Sequence, residues 1–99
     1  MVGRPSLDRL HWDEWNRDHI AKHAVMPEEA EEVIAGSPVV SETYWQRLQL
    51  VGPTLVGRML SIVVGAVPGR PGIYYVFSAR PASRKERAMY KQSKGGSFP

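Results

Sequence analysis

Cysteine is absent from the chain, and with it go thiol catalysis, structural disulfides and cysteine-ligated zinc. Long apolar runs are missing as well. The longest uncharged stretch near the centre, Met59 to Gly69, is eleven residues, against the about 20 that a membrane-spanning helix needs. The N-terminus has no continuous apolar stretch of the signal-peptide kind, so a soluble, cytoplasmic protein is expected. The third shortage is of acid. Residues 46–99 hold nine Lys/Arg against one Asp/Glu, Glu86, while residues 1–45 hold four against nine, which makes the two parts +8 and −5 and the whole chain +3. A molecule so polarised suits a polyanionic ligand on one face; the plainer alternative is that the two parts neutralise one another in the fold. With 99 residues the chain is expected to form one domain around a single modest core, with residues 1–6 a loose arm and 94–99 a flexible tail.

The first third reads as helical. Leu7–Trp12 suits a short strand, after which Asp13 offers an N-cap for a helix from Glu14 to about His23. Pro27 sits at a first helical position, Glu28 and Glu29 suit the positive end of the helix dipole, and Gly36 with Pro38 closes this second helix. From Val39 the period shifts toward two. Four β-rich pieces follow, Val39–Tyr44, Trp45–Val51, Met59–Val67 and Gly72–Ser78, separated by the turn signals Gly52-Pro53 and Pro68 to Gly72. Short connections favour antiparallel neighbours. Ser83 and Glu86 have capping-box spacing for a last helix from Arg84 to about Gln92. The predicted class is α+β: N-terminal helices, an antiparallel sheet of about four strands and a C-terminal helix. Trp12, Trp15 and Trp45 are expected to anchor the core.

Five of the nine basic residues of the second part lie between Arg80 and Lys91. On the last helix Arg84, Arg87 and Lys91 share a face around the small Ala88. A strand end, a helix N-terminus and clustered guanidiniums together suit a phosphate. On the first helix Asn16, His19 and His23 fall along one stripe. The His19–His23 spacing is that of two zinc ligands, but Ile20 follows His19 where a catalytic glutamate would stand, no third ligand is signalled, and Lys22 adds positive charge; the metal reading is set aside.

Three blocks carry a resemblance. Trp12-Asp13, Asn16, Lys22-His23 and Val25 lead to Glu28, Glu29 and Ala30. Gln46-Arg47 leads to Val51-Gly52 and then to Gly57 through Val64. Ile73 to Tyr90 contains Ser78-Ala79-Arg80, Ser83-Arg84, Glu86-Arg87 and Tyr90. In this order they resemble the BrnT toxins of bacterial type II toxin–antitoxin systems, small ribonucleases similar in fold to the RelE toxins. Ala24 departs from the glycine usual after the Lys-His pair, which argues against a left-handed backbone there, and Pro68–Gly72 is an unusually proline-rich turn.

The resemblance implies a RelE-like fold and a cofactor-free, metal-independent RNA endonuclease. It also implies a cognate antitoxin partner with a ribbon-helix-helix DNA-binding domain. In such scission the ribose 2′-hydroxyl attacks the adjacent phosphorus, a base takes its proton, cations stabilise the phosphorane and an acid protonates the leaving oxygen. Arg80, Arg84 and Arg87 would supply the charge, and His23 would carry the proton unless it only packs or caps its helix end. Lys22, Arg47, Arg58, Tyr90 and Lys91 are the candidate RNA contacts. Each has a plainer role open to it: Lys22 as a solvated charge, Arg47 and Arg58 as edge-strand charges, Tyr90 with its ring packed on the sheet. The alternative function is a non-catalytic module that grips nucleic acid or an acidic partner with the same face.

Overall fold

The computed structural model describes residues 7–94. The expected arm, 1–6, and the tail beyond residue 94 lie outside the described residues. The elements are β1 (Arg9–His11), α1 (Glu14–Ala21), α2 (Pro27–Ala35), β2 (Val39–Glu42), β3 (Arg47–Pro53), β4 (Met59–Ala66), β5 (Ile73–Pro81) and α3 (Arg84–Ser93), with a 3-10 turn at Tyr44–Gln46. Among the described residues no helix is long and apolar enough to cross a membrane.

The α+β class is borne out, with one strand more than the four counted above. The sheet order is β1-β5-β4-β3-β2. All neighbours are antiparallel except β1, which pairs parallel to β5 in the register Leu10↔Tyr74. A three-residue strand whose partner lies over 60 residues away has no local signal for its direction; only the tertiary fold sets it.

Asp13 caps α1 as predicted. Its Oδ1 accepts the Asn16 N–H at 2.9 Å, Asn16 Oδ1 accepts the Asp13 N–H at 2.9 Å, and Asn16 Nδ2 donates to the His11 carbonyl at 2.9 Å. This local closure buries Asn16 completely, so Asn16 belongs to the cap rather than to an exposed stripe with the histidines. The helix ends at Ala21, with Lys22 as C-cap. Ala24 then takes φ 59, and the left-handed turn that its departure from glycine argued against is present. Surrounding contacts hold it: the Ala24 carbonyl accepts from Arg58 Nη1 at 2.8 Å, and the same nitrogen meets both Glu29 oxygens at 2.9 and 3.0 Å. In α2, Pro27 occupies the first turn and the Glu29 carboxylate accepts the Met26 N–H at 3.0 Å. Gly36 has an ordinary φ of −104, and Ser37, at φ 65, makes the left-handed turn instead.

Strand alternation divides the sheet into two faces. Leu48, Leu50, Leu60, Ile62, Val64, Val76 and Ala79 pack with Ile20, Val25, Ala30 and Val33 into one buried cluster, which places α1 and α2 on that face. The intervening residues, among them Arg47, Gln49, Ser61, Ser78 and Arg80, point the other way, and there α3 reaches the sheet through Glu86. The tryptophans divide differently from expectation. Trp12 packs partly on the core, but Trp15 is 56% and Trp45 82% exposed. Trp15 lies instead against the His19 ring, with centroids 4.7 Å apart.

Candidate nucleic-acid interface

The basic run folds as a corner. β5 carries Arg80 and Pro81 as its last residues, Ala82 donates its N–H to the Met59 carbonyl at 2.9 Å, and α3 begins at Arg84. Ser83 caps the helix: its Oγ accepts the Glu86 N–H at 3.1 Å and Glu86 Oε1 accepts the Ser83 N–H at 2.8 Å. The carboxylate of Glu86 therefore hangs over the corner, where Arg80 meets it with two nitrogens, at 2.9 and 2.8 Å. Gln49 Nε2 donates to the same carboxylate at 2.8 Å and Ser61 Oγ lies at 3.5 Å. With the Arg80 bonds first, and the Ser83 and Gln49 bonds adding to them, the Glu86 carboxyl falls to about 2, while Arg80 is raised.

This network sets the roles of the arginines. Arg80 is a fixed guanidinium, ion-paired and still 44% exposed along its side chain. Arg87 donates from Nη1 to the Ala82 carbonyl at 3.0 Å, tying the helix back to the corner. Arg84, Lys85 and Lys91 are exposed, and among the described residues no carboxylate pairs with them. The structure thus brings Arg80, Arg84 and Arg87 to one corner, with Lys91 a turn further along α3. Tyr90 shares the half-buried, sheet-facing side of α3 with Glu86 and Met89, and Lys94 Nζ lies 5.9 Å from its ring.

Other predicted residues lie apart. Arg58 is engaged by Glu29 and the Ala24 carbonyl, an anchor between β4 and the turn joining α1 to α2. Lys22 and His23 are exposed in that same turn. The turn belongs to the layer on the opposite face of the sheet from Glu86, but the Arg58 bond places it at the end of the sheet where β4 begins and β5 gives way to α3. His23 meets the His19 ring edge-on, with centroids 6.3 Å apart. Arg47 lies on the α3 face of the sheet at the other end of β3, its guanidinium carbon 3.6 Å from the Phe77 ring centroid.

Sequence reasoning missed Gln49, Ser61 and the reach of Glu86 beyond its cap. One signal was available: Glu86 is the single acid of residues 46–99. A second cluster also went unread. Tyr75 Oη donates to the Asp13 carboxylate, with its oxygens 3.0 and 2.9 Å away, and its ring lies tilted beside that of His11, with centroids 5.8 Å apart. The Asn16 amide, with help from Tyr75, lowers the Asp13 carboxyl; burial and then Asp13 raise the Tyr75 phenol. Tyr75 and Asp13 thereby fasten the start of α1 to β5.

No family model and no curated protein matches the chain. Among solved structures it is similar to the crystal structure of the Brucella abortus ribonuclease toxin BrnT, with a TM-score of 0.61 and 26% sequence identity, over 77% of this chain and 97% of that one. In fold the chain is similar to that ribonuclease toxin along nearly the whole of the toxin's length.

Proposed function

We propose that the protein is the toxin of a type II toxin–antitoxin pair, a cytoplasmic endoribonuclease that cleaves RNA without a metal and is silenced by a cognate antitoxin. The observation that carries this reading is the likeness in fold to a ribonuclease toxin along nearly the whole of that toxin's length. The arginine corner supplies a matching chemistry. Arg80, oriented by Glu86, and the exposed Arg84 present guanidinium donors to the non-bridging oxygens, and Arg87 adds charge from the helix. Their worth rises as the phosphorane accumulates negative charge, which is the condition for catalysis rather than mere binding. His23 is the proton carrier in this reading, reached by RNA that wraps round the end of the sheet shared by its turn and the corner. Lys22 and Lys91 flank that path.

Alanine at Arg80, Arg84 or Arg87 is expected to slow cleavage at least tenfold, and lysine to rescue poorly because it loses the planar fork. His23→Gln keeps a hydrogen-bonding side chain but cannot titrate, so cleavage falls while urea unfolding stays near wild type. Wild-type rates in all three arginine variants would remove this site, and a fully active His23→Gln protein would remove the assigned proton carrier.

A further inference from the structure

The tip of the β2–β3 hairpin is built against backbone preference. Trp45 and Gln46 are left-handed in succession, at φ 59 and 60, where a tight hairpin loop ordinarily places asparagine or glycine. Tyr44 and Trp45 nevertheless stand 81% and 82% exposed. Strained backbone that presents side chains to solvent is a feature of ligand clamps.

Below this tip a cavity of about 250 Å³ opens on the α3 side of the sheet, lined by Tyr44, Trp45, Arg47, Val63, Phe77 and Ser78 among others. Its floor has a local cause. β5 carries one extra residue between Val63↔Ser78 and Val64↔Val76, and that residue is Phe77. The bulge lays the ring over Gly65, where an added Cβ would meet Phe77 Cε2 at 2.8 Å. Arg47, the partner of Gly65 across the sheet, rests on Phe77 at 3.6 Å and reaches to 5.3 Å from the Trp45 ring. Among the described residues no carboxylate pairs with Arg47. The cavity is smaller than the about 300–1,000 Å³ of sites that enclose a drug-sized molecule, so it suits one planar ring left partly in solvent. Two residues along from Val63 and Ser78, on the same face, are Ser61 and Arg80, about 7 Å away.

We propose that this cavity takes one unpaired base of single-stranded RNA, stacked on Trp45, with Arg47 on the neighbouring phosphate. The proposal rests on the RNA-cleaving reading and adds a subsite to it. The charge of the lining favours a polyanion, since among the described residues that line the cavity Arg47 is the charged one. An aromatic face beside a cation serves any base, provided the base is not paired.

The test is binding of a short 2′-O-methyl oligoribonucleotide, which lacks the attacking hydroxyl, followed by fluorescence anisotropy at several salt concentrations. Trp45→Ala should weaken binding about tenfold or more, the scale of one lost base–aromatic stack, without changing the slope of log affinity on log salt. Trp45→Phe should recover much of it. Arg47→Gln should flatten the slope by about 0.7, one single-strand phosphate contact. Trp15→Ala, exposed on the other layer, should bind as the wild type does. Trp45→Gly relieves the backbone, so its Tm should stay level or rise while its affinity falls, which separates a binding role from a folding one. Wild-type affinity in Trp45→Ala overturns the subsite, whatever that change does to binding of a protein inhibitor. A wild-type protein that shows the Trp45 dependence yet leaves cleavable RNA intact keeps the subsite and refutes the nuclease. Cleavage of RNA with Trp45-independent binding does the reverse, and a protein that neither binds nor cuts refutes both.

Discussion

Replacing Glu86 with glutamine isolates the charge that orders the arginine corner, because glutamine keeps the capping-box hydrogen bond to Ser83. The Glu86 carboxyl lies at about 2, against an ordinary 4.5. That displacement corresponds to a ceiling of about 3 kcal/mol of folding stability at neutral pH. Arg80, the principal partner, is 44% exposed, and solvent screening reduces the expectation to about 1–2 kcal/mol. The sign follows from a carboxyl lowered on folding: its stabilisation is complete above 4.5 and is lost as pH falls from there toward 2. Glutamine does not titrate over that range. Urea unfolding of both proteins should therefore show Glu86→Gln weaker by about 1–2 kcal/mol at pH 7, with the gap closing steadily below pH 4.5. Equal stabilities at pH 7, or a gap of the same size at pH 2.5 as at pH 7, would refute the account of Arg80 as a guanidinium held by an ionised Glu86.

The left-handed Ala24 predicts a gain from glycine: Ala24→Gly should stabilise the protein by about 0.5–1 kcal/mol, the cost of a left-handed Cβ less the added chain entropy, and a Tm no higher than wild type would contradict it. The antitoxin is expected on the basic face, so its affinity should fall as salt rises and it should compete with a non-cleavable RNA, leaving the acidic α2 outside the contact. A salt-insensitive complex that binds RNA at the same time would place the inhibitor elsewhere.

What was legible in the sequence was what local chemistry decides. Asp13, Pro27 and Ser83 marked the helix starts because caps act within a turn. Hydrophobic alternation found β3 to β5, but β3 begins at Arg47 rather than Trp45. Left-handed backbone at Trp45 and Gln46 moved the hairpin turn, and neither residue type advertises such a turn. The same strained turn carries Trp45 out of the core to which its size alone would assign it. The arginine corner was legible as a basic cluster, since Arg80 ends a strand and Arg84 and Arg87 share the helix that follows. Its internal pairing was not, because the bonds from Gln49 and Ser61 to Glu86 span 37 and 25 residues and depend on sheet register. Arg58 shows the converse: a charge in a β-rich segment looks available to RNA until the fold brings Glu29 beside it.

The central claim is tested most directly by the ends of the RNA. Purified protein incubated with RNA in EDTA should produce fragments whose new 3′ termini carry 2′,3′-cyclic phosphate, the product of 2′-hydroxyl attack, and Arg80→Ala prepared in parallel should produce at least tenfold fewer. RNA that stays intact, or new termini that are 3′-hydroxyls appearing only when a divalent metal replaces the EDTA, would contradict the account.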